Sequence, residues 1–296
     1  MALEGLHHVT AITGDAQRNV DFYVSTLGLR MVKKTVNFDS PDVYHLYYGD
    51  ETGTPGSILT FFEFPGARPG RAGNGMIHRI VWRVGSHTAL DFWRARLGID
   101  GDVFADPEGL EHELFVAEVP DRPLVAHAPD IPPEHALQGF HGVRAYSDRT
   151  ARSTPLLERI GFARTGEDDT AWELAGAERR ATLHYDVPPP QPGIQSAGTV
   201  HHVAWSAADD GELELLSQAA AGAGARVTPI IDRQYFHSVY FREPSGVLFE
   251  LATRDIGFAI DEPVAELGQS LKLPPRYEAR RPELEDALTP LVNPRG

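Results

Sequence analysis

A unit that occurs four times along the chain constrains the fold more than any other feature of the sequence. Each copy opens on an apolar residue followed by histidine and continues into a run that alternates apolar and polar residues. The four openings are Leu6-His7-His8-Val9, Ile77-His78-Arg79-Ile80, Phe140-His141-Gly142-Val143 and Val200-His201-His202-Val203. Such repetition predicts one supersecondary unit that is built four times, with its copies packed against one another.

Each opening strand is followed by a helix and then by further strands. The predicted helices cover residues 16–27, 89–97, 150–160 and 210–221. The first three end at a glycine, which commonly stops a helix. The predicted later strands of the first and fourth units are 31–37, 43–48, 57–64, 226–231, 237–242 and 247–253. The unit is therefore βαβββ and about 50 to 60 residues long, which predicts an α+β fold of four modules.

Proline-rich stretches separate the later modules. Residues 129–133 precede the third module and residues 188–192 precede the fourth, and such segments are typical of linkers. We assign modules one and two to a domain over 1–128 and modules three and four to a domain over 139–258. Residues 259–296 form a C-terminal extension, which we expect to wrap the surface.

The openings differ in the position after the shared histidine. That position holds His8, Arg79, Gly142 and His202 in the four modules. A histidine repeated in all modules indicates a role in the module's architecture, whereas one kept only in modules one and four indicates a local role. Side-chain alternation along a strand predicts that the two positions face opposite sides of the sheet.

The last strands supply a matching carboxylate. Four residues past the turn glycine, modules four, two and one carry Glu250, Glu113 and Thr60. Glu250 lies in an otherwise apolar strand, where a buried carboxylate is costly unless it meets a cation or a strong donor.

His8, His202 and Glu250 thus form a candidate 2-His-1-carboxylate set, which suits Fe(II) or Mn(II) and leaves coordination positions open. Modules one and four must then pack together with the metal between them. We expect Arg79 and Glu113 to form an ion pair at the corresponding place in modules two and three.

The sequence resembles the vicinal oxygen chelate superfamily, which includes glyoxalases, bleomycin resistance proteins and extradiol dioxygenases. Within it, the chain is most similar to the ring-cleaving hydroquinone 1,2-dioxygenases. The matching stretches are residues 6–39, 44–62, 201–206, 232–253 and 255–262, among them LHHVTAIT, HHVAWS and SGVLFELAT. The resemblance implies paired βαβββ modules, a metal in only one pair, and Fe(II) and O2 chemistry on a dihydroxybenzene.

Carried over by residue, the family's metal ligands fall on His8, His202 and Glu250. The residues that surround the metal in the family fall on His7, Thr10, His201, Arg233 and Tyr240. The segment 232–236 is shorter here than in the hydroquinone enzymes, so the resemblance is weakest where the substrate pocket is lined.

The surrounding residues have chemistries that suit ring cleavage. His7 or His201 is expected to act as acid or base, because imidazole titrates near neutral pH. Tyr240 and Arg233 are expected to hydrogen-bond the substrate oxygen or the developing peroxide. Six other histidines have no partner in the pattern and are expected to be surface or core residues: His45, His112, His127, His135, His184 and His237.

Two other classes of function remain open at this point. One is a non-redox metalloenzyme on the same scaffold, a glyoxalase-like lyase, isomerase or thiol transferase. Such enzymes commonly take a carboxylate from each module, and Thr60 in that column favours the open triad instead. The other is a protein that binds a drug or quinone without chemistry, and such proteins usually lack the metal triad. Fold alone does not separate these classes.

Composition excludes several kinds of partner. The 296 residues include 27 Lys and Arg against 42 Asp and Glu, for a formal charge of −15. That charge repels phosphate backbones and anionic lipids, which argues against nucleic acid and membrane. The absence of cysteine excludes disulfides and thiolate metal ligands. The first residues lack the features of a signal peptide, so we expect a cytoplasmic enzyme acting on a small aromatic, and a homo-oligomer is compatible with the sequence.

Overall fold

The computed structural model describes residues 3–295 and contains four successive modules. Module one comprises β1 (Leu6–Thr13), α1 (Ala16–Val20), β2 (Arg30–Asn37), β3 (Ser40–Gly49) and β4 (Ile58–Glu63). Module two comprises β5 (Ile77–Val84), α2 (His87–Leu97), β6 (Val103–Ala105) and β7 (Glu111–Val116). Module three comprises β8 (Phe140–Tyr146), α3 (Thr154–Arg159), β9 (Ala163–Arg164), β10 (Ala171–Ala175) and β11 (Arg180–Asp186). Module four comprises β12 (Val200–Ala207), α4 (Asp210–Gly222), β13 (Ile231–Asp232), β14 (His237–Arg242) and β15 (Leu248–Thr253), and α5 (Arg281–Ala287) follows in the extension.

The strands form two mixed sheets, each built from two modules. One sheet has the order β13-β14-β15-β12-β1-β4-β3-β2 and joins modules one and four. The other has the order β6-β7-β5-β8-β11-β10-β9 and joins modules two and three. The sheets therefore cross the division into 1–128 and 139–258, and the structural halves are not consecutive in sequence. The reason is that β1 carries β4 on one edge and uses its other edge for β12, the first strand of a distant module.

The α+β class is confirmed, and the modules differ from the predicted unit in detail. Within residues 3–295, module two has two strands after its helix instead of three. The first predicted helix changes at residue 21 from an α-helix to a π-helix that ends at residue 26. The strand predicted over 226–231 is wrong, because only Ile231–Asp232 pairs with β14. The preceding stretch is tied to β14 by bonds at Thr228 alone.

The histidine shared by all four openings occupies a β-bulge in every module. Along the β1–β12 pair, Leu6 and His8 face Trp205 and Ala204, so His7 is an extra residue. The same irregularity occurs in three other places, at His78, His141 and His201. A bulge leaves its extra residue out of the ladder and re-aims its side chain. The two histidines of a pair are consequently in contact, and the expectation that they face opposite sides was wrong.

The C-terminal extension is anchored to module one through a buried lysine. Lys33 is fully buried on β2, and its ammonium donates to Asp261 at 2.6 Å, to the carbonyl oxygen of Phe258 at 3.1 Å and to Glu262. The same ammonium lies 4.9 Å from the centre of the Tyr235 ring. The extension therefore packs beside the sheet of modules one and four. No helix of the described chain is long and apolar enough to cross a membrane.

Candidate metal centre

The three predicted ligands meet at the centre of the larger sheet. His8 lies on β1, His202 on the adjacent β12, and Glu250 on β15 next to it. One carboxylate oxygen of Glu250 lies 3.2 Å from Nε2 of His8 and 2.9 Å from Nε2 of His202, and the two Nε2 atoms are 3.2 Å apart. All three side chains are buried, with Glu250 at 0% exposure. Within residues 3–295, this is the one group of three or more histidine, aspartate or glutamate side chains that could hold a metal ion.

The donor set fits a divalent cation. Within the described chain, neither carboxylate oxygen of Glu250 has a hydrogen-bond donor apart from the two facing imidazoles. Burial would raise the pKa of Glu250, but His8 and His202 hold it well below its usual value, and burial lowers the pKa of His202. A carboxylate anion and unprotonated imidazoles are the forms that bind a metal. Two nitrogens and one carboxylate directed at one point leave positions for further ligands.

His7 sets the tautomer of its neighbour. Nε2 of His7 lies 3.0 Å from the carbonyl oxygen of Thr253, so this nitrogen carries the proton and donates it. Nδ1 of His7 is then an acceptor and receives the Nδ1–H of His8 at 2.9 Å. This leaves Nε2 of His8 with its lone pair toward Glu250, as a metal ligand requires. Burial and the adjacent His8 lower the pKa of His7 to about 3, so the ring is neutral at pH 7.

His201 makes the matching contact on β12 but keeps one nitrogen unused. Its Nδ1 lies 2.8 Å from Nδ1 of His202. A lone pair on Nε2 of His202, as a metal ligand requires, puts the proton of His202 on Nδ1, so His202 donates and His201 accepts. The proton of His201 is then on Nε2, which has no partner in the part of the chain that the structure describes. Burial is the main cause that lowers the pKa of His201 to about 4. His201 lines the pocket beside the metal centre, whereas His7 does not.

A pocket of about 380 Å³ opens onto His8 and His202. Aromatic and aliphatic side chains make up much of its wall: Phe38, Phe62, Phe64, Phe236 and Leu248. Arg233 and Tyr240 supply polar groups, with Nε of Arg233 donating to the Tyr240 hydroxyl at 3.2 Å. Burial raises the pKa of Tyr240, so its hydroxyl keeps its proton. The pocket thus suits a small aromatic molecule with polar substituents.

The turn that carries Arg233 is tight and held from outside. Gln234 has φ of 66°, a left-handed backbone conformation that residues other than glycine rarely adopt. Its side chain donates to Asp261 at 2.9 Å, and the hydroxyl of Tyr235 donates to the same carboxylate at 3.0 Å. The C-terminal extension therefore fixes the shape of the short segment 232–236.

A chain of hydrogen bonds beside the metal centre includes a histidine that the sequence interpretation dismissed. The hydroxyl of Thr60 lies 2.9 Å from that of Thr10 and 2.8 Å from Nε2 of His45, and Nδ1 of His45 lies 2.9 Å from the Tyr47 hydroxyl. His45 and Tyr47 both line the pocket. Their spacing of two residues along β3 places them on one face of the strand with Thr60, which is the signal that could have identified them.

Modules two and three carry ion pairs where modules one and four carry the ligands. Arg79 lies 3.1 Å from Glu113, as the sequence predicted, and 2.9 Å from Glu111. A Cβ at Gly142, the position equivalent to His202, would come within 2.1 Å of the Thr182 hydroxyl. This pair of modules therefore has no room for the second histidine.

Two pairs of modules, one of them enclosing a buried His-His-Glu set, define the class to which the protein belongs. A sequence model of the Glyoxalase/Bleomycin resistance protein/Dioxygenase superfamily matches residues 5–109 and 139–251. The chain belongs to this superfamily.

Individual relatives extend over nearly the whole chain. A Bacillus subtilis protein named "Putative ring-cleaving dioxygenase MhqO" is 39% identical over 97% of this chain and 96% of its own length. The chlorohydroquinone/hydroquinone 1,2-dioxygenase of Sphingobium indicum is 33% identical over 95% of both chains. A crystal structure of a dioxygenase from Bacillus subtilis, described as putative, superposes with a TM-score of 0.91 at 38% identity, covering 99% of this chain and 98% of that one.

Proposed function

We propose that the protein is an Fe(II)-dependent, extradiol-type dioxygenase that cleaves the ring of a hydroquinone or catechol with O2. The observation that carries the proposal is the open triad of His8, His202 and Glu250 beside an aromatic pocket. Thr60 holds the place from which a fourth ligand would come, and its hydroxyl is bonded to Thr10 and His45. The names of the relatives support the same chemistry. Mn(II) fits the same ligands.

When bound, the iron would supply the redox chemistry that joins O2 to the ring, and the residues of the chain would position the reactants around it. The aromatic and aliphatic side chains of the pocket wall would orient the aromatic ring and exclude water from it. Tyr240 accepts a hydrogen bond from Arg233, so its own O–H would be available to the substrate oxygen. The guanidinium of Arg233 would stabilise negative charge on that oxygen.

His7 and His201 take different roles in this proposal. Both nitrogens of His7 are engaged, by Thr253 and His8, so we assign His7 to positioning the ligand instead of proton transfer. His201 would hold a proton at Nε2, facing the pocket, where it could donate to a substrate or product oxygen. Thr10 and Thr60 have uncharged hydroxyl groups, so the place beside the triad from which a fourth ligand would come would carry no charge.

The proposal is tested by loading the protein anaerobically with Fe(II), admitting O2 and following oxygen uptake with hydroquinones and catechols. Glu250→Gln should lose tight iron binding and activity. Glu113→Gln is the matched control, because Glu113 occupies the same column in the other module pair and pairs with Arg79. Full activity with stoichiometric iron in the Glu250→Gln variant would contradict the ligand assignment.

The same experiment separates the alternatives. Turnover of a methylglyoxal–thiol adduct, with no oxygen uptake on any dihydroxybenzene, would place the protein among the glyoxalase-like enzymes instead. Tight binding of quinones or drugs without turnover of any of these compounds would indicate a binding protein.

A further inference from the structure

A second cavity is lined by residues of modules one, three and four and of the segment that follows module two, and it shares no lining residue with the metal pocket. Its volume is about 600 Å³. The lining combines apolar side chains with charged groups of both signs, namely Arg122, Arg179 and Arg254 and the carboxylates of Glu4, Asp50, Glu51 and Glu178. A cavity of this size accommodates a small organic molecule.

Arg179 is a buried cation without a carboxylate partner. Its side chain is 7% exposed, and its guanidinium donates to the carbonyl oxygens of Arg122 at 3.1 Å and Gln138 at 3.2 Å. In the described chain no carboxylate lies within 4.0 Å of it. Burial lowers the pKa of Arg179 to about 10, which reflects the cost of a cation that lacks a counter-ion.

The carboxylate of Asp121, which acts on Arg179 electrostatically, has other hydrogen-bond partners. Asp121 accepts from the guanidinium of Arg83 at 2.6 Å and from the backbone N–H of Arg180 at 2.8 Å. Arg83 is itself buried and further lowers the pKa of Arg179. Asp121 and Asp50 act on Arg179 only through longer-range electrostatics, so its buried guanidinium has no ion-pair partner within residues 3–295.

The backbone is shaped around this unpaired guanidinium. A Cβ at Gly56 would come within 2.3 Å of Nε of Arg179, and one at Gly139 within 2.5 Å of its Nη2. Both glycines have positive φ, 96° and 85°. The position of Arg179 is thus a built feature of the fold, not a side chain that happens to lie on the surface.

Two further donors in the same cavity lack partners. Nη1 of Arg254 and the hydroxyl of Ser206 are buried, and neither has a hydrogen-bond partner within residues 3–295. Buried donors without acceptors are rare in native proteins, and a site for a bound ligand is one of the ordinary explanations.

Of the four acidic residues that line the cavity, Glu4, Asp50 and Glu51 accept from backbone N–H groups, whereas Glu178 is exposed to solvent. The carboxylate of Glu4 accepts from the N–H groups of residues 177, 178 and 179 at 2.9, 3.0 and 3.2 Å. Asp50 accepts from Thr52 at 3.3 Å and Thr54 at 2.7 Å. Glu4 and Asp50 therefore do not supply the acceptors that Arg179 and Arg254 lack.

We propose that this cavity binds a small organic carboxylate. Its head group would be held by Arg179 and Arg254, since guanidinium forms charge-assisted and often bidentate hydrogen bonds to carboxylates. Its apolar part would lie against Leu124 and Val125, which line the same cavity. The site is separate from the metal centre and does not depend on the proposed dioxygenase activity.

Benzoate is a suitable probe, titrated calorimetrically into the metal-loaded protein. Benzyl alcohol tests the need for charge, and inorganic phosphate tests the need for an organic body. The variants are Arg254→Gln and Arg179→Gln, with Arg159→Gln as a control at an exposed arginine of α3 that lies outside the cavity. Glu250→Gln reports whether the probe binds at the metal centre instead.

We expect benzoate to bind the parent protein, the Arg159→Gln variant and the Glu250→Gln variant with similar affinity. Each cavity variant should bind it about tenfold more weakly or worse, because a charge-assisted hydrogen bond is removed. If Arg179→Gln fails to fold by circular dichroism, Arg254→Gln decides, since that side chain is only partly buried.

Several results would overturn the proposal. These are no binding of benzoate, equal binding of benzyl alcohol, binding of phosphate alone, and unchanged benzoate affinity in Arg254→Gln. Loss of benzoate binding in Glu250→Gln would assign the probe to the metal pocket and would equally reject the second site.

Discussion

At the scale of single residues, the candidate metal centre includes a histidine that does not line the pocket. His7 donates to the carbonyl oxygen of Thr253 and accepts from Nδ1 of His8, and so fixes which nitrogen of His8 is free. His201 repeats the contact to His202 without the backbone acceptor. Outer partners of this kind orient a ligand and raise its basicity.

Replacing His7 with Phe should weaken metal binding about 10- to 100-fold, because Nδ1 of His8 loses its acceptor and the ring loses its fixed tautomer. The measurement is the affinity for Mn(II) or Fe(II), followed by calorimetry or electron paramagnetic resonance. His78→Phe is the control at the same bulge of module two, and it should leave the affinity unchanged. Equal affinities in the two variants would refute the role given to His7.

A second residue-scale prediction concerns the stability of the folded protein at acid pH. His112 is fully buried and accepts from Nε1 of Trp82 at 3.0 Å, so its Nε2–H donates to the Tyr23 hydroxyl at 3.0 Å. Burial lowers the pKa of His112 from 6.5 to about 3. Between these values the unfolded chain binds a proton that the folded chain does not, so stability falls as the pH falls.

The expected slope is about 1.4 kcal/mol per pH unit below pH 6.5 for this one histidine. It is measured by urea unfolding between pH 7.5 and 5 on the parent protein and on His112→Gln. The variant should be less stable at pH 7.5 but should lose less on acidification. A parallel loss in both proteins would show that His112 does not titrate as described.

At the scale of elements, the turn over 232–236 and the C-terminal extension form one unit. The carboxylate of Asp261 accepts hydrogen bonds from Lys33 on β2 and from the side chains of Gln234 and Tyr235 in the turn. The extension therefore connects module one to the part of module four that carries Arg233. A turn with a left-handed Gln234 keeps its shape only where the surroundings determine it.

Asp261→Asn should reduce the free energy of unfolding by about 1–3 kcal/mol, because a charged hydrogen bond to buried Lys33 is lost. It should also raise KM for a phenolic substrate more than it lowers kcat, since Arg233 is displaced while the ligands are not. Urea unfolding and steady-state kinetics measure the two effects. Asp286→Asn, at an exposed position of α5, is the control, and identical behaviour of both variants would contradict the role of Asp261.

The elements also show where sequence reasoning reached its limit. Alternation and glycine stops predicted most helices and strands, but a bulge adds one residue without changing the pattern, so the contact between His7 and His8 was not foreseen. The ligands themselves were found because they break the repeat. His45 was missed because its partners come from other strands, and the sequence alone does not give their register.

At the scale of the whole molecule, the pairing of modules one with four and two with three determines what each interface contains. The requirement that His8 meet His202 predicted this pairing, and the strand order agrees with it. The cavity with Arg179 had no such signal, because its lining residues come from three modules and a connecting segment, and no repeat relates them. A buried charge without an ion-pair partner can be recognised only when the burial and the contacts of each side chain are known.

The Gly142–Thr182 contact has a consequence for protein design. Modules two and three keep the bulge histidines and Glu113, so two exchanges, Arg79→His and Gly142→His, would restore every ligand type in sequence. They would not restore the centre, because a Cβ at residue 142 would also lie 2.3 Å from the backbone oxygen of Thr182. At this point β8 and β11 lie too close together for a side chain at residue 142. Building a second metal site in this protein would therefore begin with the spacing of β8 and β11, and only then with the choice of ligands.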